Sequence, residues 1–142
     1  MNPYTANPQA YRDASVMTAS PEQLVVMLYD GALRFLRQAR HALEEDDFEA
    51  AHNKLSRGEA IIDELLATLN MEAGEIAERL QAIYIFCKRC LMEARLERDP
   101  ERIARVVALL GELREAWGAL AARETAASAQ ASAQAPATSA TA

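Results

Sequence analysis

The chain has 142 residues, enough for one domain with one core, and 51% of them are hydrophobic while only 6% are aromatic. Fifteen Lys and Arg stand against 21 Asp and Glu, a net charge of −6, and no run of cations forms a stripe, which speaks against a nucleic-acid footprint or an anionic membrane surface. No cationic segment followed by an apolar core opens the chain, no apolar run approaches the roughly 18 residues of a membrane helix, and two cysteines suit reduced thiols, so the expected compartment is the cytoplasm.

Residues 1–19 mix Pro3, Pro8, Asn and Thr with Tyr4, Tyr11, Val16 and Met17 and carry no 3.6-residue period. They read as an extended arm, although two tyrosines are more aromatic content than a merely solvated segment carries. The first helix has a clear start: Ser20 as N-cap, Pro21 at the first helical position and Gln23 to close a capping box. It is predicted from Pro21 to about Leu43, with Leu24, Val25, Leu28, Ala32, Phe35, Leu36, Ala39 and Leu43 inward.

The acidic run Glu44-Glu45-Asp46-Asp47 should contain the break, because anions are disfavoured at a helix C-terminus and favoured at an N-terminus. Asp46 or Asp47 then caps a second helix with Phe48, Ala51, Leu55, Ile62, Leu65, Leu66 and Leu69 on one face. Asn70 to Gly74 form the next turn, and a third helix to Glu97 turns Ile76, Leu80, Ile83, Cys87, Leu91 and Ala94 inward. Asp99-Pro100 starts a fourth, with Ile103, Val106, Val107, Leu110, Leu113, Trp117 and Leu120. Gly58, Gly111 and Gly118 suit close helix packing. From Arg123 the chain is Ala, Ser, Thr and Gln with Pro136, the composition of a disordered tail. The expected architecture is all-α: an antiparallel up-down-up-down four-helix bundle over 20–122, preceded by the arm 1–19 and followed by the tail 123–142.

Two features resemble chemistry. Cys87-Lys-Arg-Cys90 is a C-x-x-C, but it falls mid-helix rather than at a helix N-terminus, and the chain has no further cysteine to complete a zinc site. Glu49-Ala-Ala-His52 is an E-x-x-H, the element of di-iron bundles, but those need it twice with inward Glu on the other helices, and Gln38 precedes His41 where a second copy would need Glu. Neither a nucleophile elbow nor a phosphate-cradling Gly-rich loop is present. The expectation is a protein that is not an enzyme and uses no metal or cofactor. A metal or redox bundle built on Cys87, Cys90 and His52, and a self-associating structural bundle, stand as rivals.

More informative is apolar content that a bundle does not need. Leu24 to Tyr29 runs without a polar break, with Val26 and Leu33 on the far side of the expected core stripe and Met27 and Tyr29 beside it. Ile83-Tyr84-Ile85-Phe86 repeats the excess on the third helix, with Ile85 pointing away and Phe86 wide of the stripe. Contiguous apolar surface suggests a partner, and a Met- and aromatic-bearing groove suits an amphipathic helix or an extended apolar strand. The expected partner-binding residues are Tyr11 in the arm, Val26, Met27, Tyr29 and Leu33 on the first helix, and Tyr84, Ile85 and Phe86 on the third. The arm could shield such a patch until a partner competes for it.

The run Thr18-Ala19-Ser20-Pro21-Glu22-Gln23-Leu24-Val25-Val26-Met27-Leu28-Tyr29-Asp30-Gly31-Ala32-Leu33-Arg34-Phe35-Leu36 resembles the signature of the flagellin secretion chaperone family, FliS. Ala10-Tyr11, the turn Leu69-Asn70-Met71-Glu72 with Gly74-Glu75-Ile76-Ala77, and Leu113-Arg114-Glu115-Ala116-Trp117 are similar to further family segments. The chain departs from the family in having only Gly74 where two glycines are frequent, and Ile85 where a polar residue is. The resemblance implies a cytoplasmic bundle that binds the disordered C-terminal segment of flagellin, keeps it from polymerising early and helps present it to components of the flagellar type III export gate. The charge pattern and the lack of a long apolar run give the expectation of no nucleic acid and no membrane insertion.

Overall fold

The computed structural model describes residues 18–134. Within them stand four α-helices: α1 (Pro21–Glu44), α2 (Phe48–Thr68), α3 (Glu75–Glu97) and α4 (Pro100–Gln134), with one 3-10 turn, Met71–Ala73, between α2 and α3. The described residues divide into two compact units, 27–115 and 18–26 with 116–134.

Local chemistry sets the helix ends. Ser20 Oγ accepts from the Gln23 amide at 3.2 Å while Gln23 Oε1 accepts from the Ser20 amide at 2.9 Å, a complete capping box. Asp46 takes a left-handed φ of 57° after α1, and Asp47 caps α2 through Oδ1 to the Ala50 amide at 3.2 Å. Asn70 caps the 3-10 turn, Gly74 supplies a φ of 77°, and Arg98 closes α3 in the left-handed region before Asp99 accepts from the Glu101 amide at 3.0 Å.

The unit 27–115 is the four-helix bundle. Gly31 of α1 lies against Ile61 of α2 and Leu36 against Gly58, so the numbers rise on one helix as they fall on the other. Asp63 and Glu59 of α2 pair with Lys88 and Arg95 of α3 in the same antiparallel sense. Asp30 and Arg40 of α1 pair with Arg114 and Glu101 of α4, and Arg102 of α4 meets Glu93 and Glu97 of α3. These partly exposed ion pairs mark register more than they stabilise. Stability comes from the interior: Leu36, Leu55, Ile62, Leu65, Leu91, Ile103, Val106 and Leu110 are fully buried, each contributing about 1.5–3 kcal/mol on burial.

The buried face of α1 differs from the expected stripe. Tyr29, Ala32, Leu33, Leu36, Ala39, Ala42 and Leu43 are buried, whereas Leu24, Val25, Leu28 and Phe35 are half-buried. At roughly 100° per residue the buried arc covers about half the helix circumference. The cause is that α2 packs on one flank of α1 and α4 on the other, so residues beyond a single stripe are covered. Phe48 and Ile76, expected inward, are exposed; the Arg98 guanidinium lies 3.7 Å from the Phe48 ring centroid.

In the unit of chain ends, Gln23 Nε2 donates to Thr125 Oγ1 at 3.0 Å and Ala121 is buried. The helix α4 runs on to Gln134, so residues 123–134, expected as tail, are helical; their Ala content is the strongest helix former available where no packing contributes. Residues 135–142 lie outside the described residues.

The glycines separate by environment. A Cβ on Gly58 would stand 2.7 Å from Leu36 Cδ2 and 3.1 Å from its Cγ, inside the core, whereas a Cβ on Gly111 would meet nothing within 4 Å. Close packing therefore applies at Gly58 and not at Gly111. Gly58→Ala should lose about 1–2 kcal/mol of unfolding free energy in urea, overpacking outweighing the gain in helix propensity. Gly111→Ala should gain about 0.5–1 kcal/mol in the same measurement.

Candidate partner-binding surface

Helix α3 carries apolar residues on two faces. Ala77, Tyr84, Cys87, Cys90, Leu91 and Ala94 are buried and make the interior face. Ile85, Met92 and Leu96 are exposed, at 48%, 54% and 75%. Their spacing of seven and four residues aligns them on the side of α3 roughly 140° from the buried face. Such a row adds nothing to the core and exposes apolar surface to water.

Against this row, α2 and α3 enclose an open groove of about 470 Å³ lined by Glu59, Leu66, Ile85, Lys88, Arg89, Met92 and Arg95. Leu66, Ile85 and Met92 form its apolar part. Its rim is held by charge: Arg95 clamps Glu59 with two hydrogen bonds at 2.9 and 3.1 Å and also donates to His52 Nδ1 at 3.1 Å, while Lys88 Nζ meets Asp63 Oδ1 at 2.5 Å. Apolar centre and polar rim are the anatomy of a protein-binding surface.

The residues expected at the partner surface fall into five groups. Ile85 is exposed and lies in the groove. Phe86 and Met27 are exposed but outside the groove lining, because one residue along α3 turns Phe86 about 100° away. Tyr29, Leu33 and Tyr84, expected at the partner surface, are core residues, at 0%, 4% and 1% exposure. The Tyr29 and Tyr84 hydroxyls meet at 2.5 Å, with ring centroids 6.4 Å apart, so both phenols turn inward because each supplies the other's hydrogen bond. Val26 is half-buried, in the unit of chain ends. Tyr11 lies outside the described residues. The sequence pattern puts Leu66 on the core face of its helix, and the i, i+7 spacing from Ile85 is the feature that marks Met92.

The features that resemble redox or metal chemistry are kept apart by the fold. Cys87 and Cys90 are both buried free thiols on the interior face of α3. Burial first, and the neighbouring Cys90 second, push the Cys87 thiol up to about 12, the opposite of an activated thiolate. His52 is exposed on α2 and engaged by Arg95. Among the described residues no three His, Cys, Asp or Glu side chains converge on a metal position, and no helix is long and apolar enough to cross a membrane.

Comparison with known proteins agrees with the bundle. The family profile for flagellar protein FliS matches residues 4–124. The flagellar secretion chaperone FliS of Bacillus subtilis is 39% identical over 116 residues, covering 82% of this chain and 84% of that protein. That of Salmonella typhimurium is 43% identical over 107 residues, 74% of this chain and 79% of the relative. A crystal structure of a bacterial flagellar chaperone superposes with a TM-score of 0.66 over 81% of this chain and 98% of its own, at 21% identity, a likeness of fold.

The buried thiols set the behaviour of the isolated protein. At pH 8 neither Cys87 nor Cys90 should react with a thiol-specific disulfide reagent in the native state, and both should react once the chain is unfolded in denaturant. The folded Cys87 pKa lies above its ordinary value of 9.0, and burial raises that of Tyr84 as well. Their contribution to the unfolding free energy should therefore be constant below about pH 9 and fall as pH rises from there towards 12, read by urea titration from about pH 8 upwards.

Proposed function

This chain belongs to the flagellar protein FliS family, whose relatives are flagellar secretion chaperones, and from that membership we propose that it binds the C-terminal segment of flagellin in the cytosol. Holding that segment keeps flagellin from polymerising early and delivers it to export gate components of the flagellar type III apparatus. The bundle, residues 20–122, is the binding module, and it works by occupancy alone, without catalysis, metal or cofactor.

The observation that carries the reading is the row Ile85, Met92 and Leu96 beside the α2–α3 groove. A segment without a core of its own gains by burying its apolar positions against such a row, partly offset by the cost of ordering it. Apolar contacts at seven-residue spacing suit an amphipathic helix laid along α3. The polar rim fixes orientation, and the binding energy is expected at Ile85 and Met92, which are central and about half exposed before binding.

Ile85→Asp should keep the far-UV helical signal, because the side chain stands outside the core, and weaken calorimetric binding to flagellin by about tenfold or more, as expected for loss of an apolar contact worth about 1.5–3 kcal/mol. Unchanged binding with intact helicity would remove Ile85 from the site. In co-purification, full-length flagellin should be retained and flagellin lacking its C-terminal segment should not; retention of the truncated protein would contradict the mode of binding.

A further inference from the structure

On the α1–α2 side of the bundle a half-buried Phe35 is surrounded by cations. The Arg34 Cζ lies 5.3 Å from its ring centroid, Lys54 Nζ 5.6 Å and Arg57 Cζ 5.6 Å. Each is attracted by the ring, but three like charges on one ring also repel one another. Elsewhere in the bundle Arg40, Arg79, Lys88, Arg95, Arg102 and Arg114 each meet a carboxylate. Arg34, Lys54 and Arg57 form no ion pair among the described residues. Helical spacing explains why: Lys54 and Arg57 have no Asp or Glu three or four residues away, and Asp30, four before Arg34, is held by Arg114 at 2.9 Å. Beside them on α2 is an open hollow of about 560 Å³ that adds the Asn53 amide and the Ser56 hydroxyl to the donors of Lys54 and Arg57.

We propose that this Phe35-centred cluster docks a carboxylate-rich segment of a partner protein, at a site separate from the α2–α3 groove. Charge complementarity selects the occupant. The cluster is a local concentration of unpaired positive charge in a chain of net charge −6. A short acidic segment lies within about one Debye length, roughly 8–10 Å, of the three cations and feels mainly them. A nucleic acid or an anionic membrane extends past the cluster and meets the protein's negative surplus, and neither finds the extended basic face it needs. On α2 the cations stand roughly 160° around the helix from Glu59 and Leu66 of the groove, so both sites can be filled at once. The inference does not rest on what occupies the groove.

The test is fluorescence anisotropy of a fluorescein-labelled decapeptide of alternating Glu and Asp, titrated with the full chain at 50 mM salt. Binding is expected for the wild type and should weaken tenfold or more in K54E/R57E. The charge-matched control R105E/R123E, on α4, should change it less than threefold. K54Q/R57Q, which removes charge without reversing it and leaves these surface helices intact, should fall between. Absence of wild-type binding, an equal loss in the control pair, or equal or tighter binding of a single-stranded decanucleotide or of vesicles with one-third anionic lipid would each overturn the proposal. Flagellin binding measured on K54E/R57E separates the two sites: it is expected unchanged, and its loss would overturn the claim that they are distinct.

Discussion

Two phenolic hydroxyls meet in the middle of an otherwise apolar interior, and a slide of α1 past α3 would break the bond between them. Tyr29 and Tyr84 meet at 2.5 Å, and no buried side-chain polar atom among the described residues is left unsatisfied. A slip of one turn would separate the hydroxyls by about 5 Å and break their hydrogen bond inside the core. The apolar contacts around them are less particular about register. The pair therefore fixes where α3 stands along α1, and the antiparallel pairings of α2 and α4 follow at the same level: Gly31 with Ile61, Asp63 with Lys88, Asp30 with Arg114.

With that register set, α3 has its buried face committed to Tyr84, Cys87, Cys90, Leu91 and Ala94. Whatever apolar residues remain on the helix must face water or a partner. Ile76, Phe86, Ile85, Met92 and Leu96 do so, and the packing of α2 beside the row Ile85, Met92 and Leu96 turns it into a groove. The same commitment keeps Cys87 protonated: a thiol that fills the core is desolvated, and burial raises its pKa. Core and surface on α3 are thus two outcomes of one constraint, the placement of a single tyrosine.

Charge follows a similar logic. Arg40, Lys88, Arg95, Arg102 and Arg114 find carboxylates on a neighbouring helix, and these contacts report helix order without adding much stability. The α1–α2 boundary is different because the intruding residue is Phe35, whose ring draws Arg34, Lys54 and Arg57 together without neutralising them. No cationic run exists in the sequence at that place; 34 and 54 are brought together only by the antiparallel return of α2.

The amino-acid sequence by itself determined the helices and their ends. Ser20 with Gln23, Asp47 and Asp99 act within three residues of themselves, so their capping is legible without any tertiary contact. It also carried the long block from Thr18 to Leu36 in which the family resemblance is visible, and the surplus of apolar residues on the third helix. Which surplus residues stay exposed was decided by tertiary structure. Leu33 lies on the far side of a single-stripe helix but is buried because α1 is covered from two flanks, and Tyr29 and Tyr84 turn inward because each satisfies the other. Ile85 stays outside with Met92, seven residues further along the same helix, and Leu66 joins them only through the packing of α2 on α3. Periodicity fixes the angle at which a side chain leaves its helix; how many neighbours surround that helix, and therefore how wide an arc is withdrawn from water, is set by the assembly of all four.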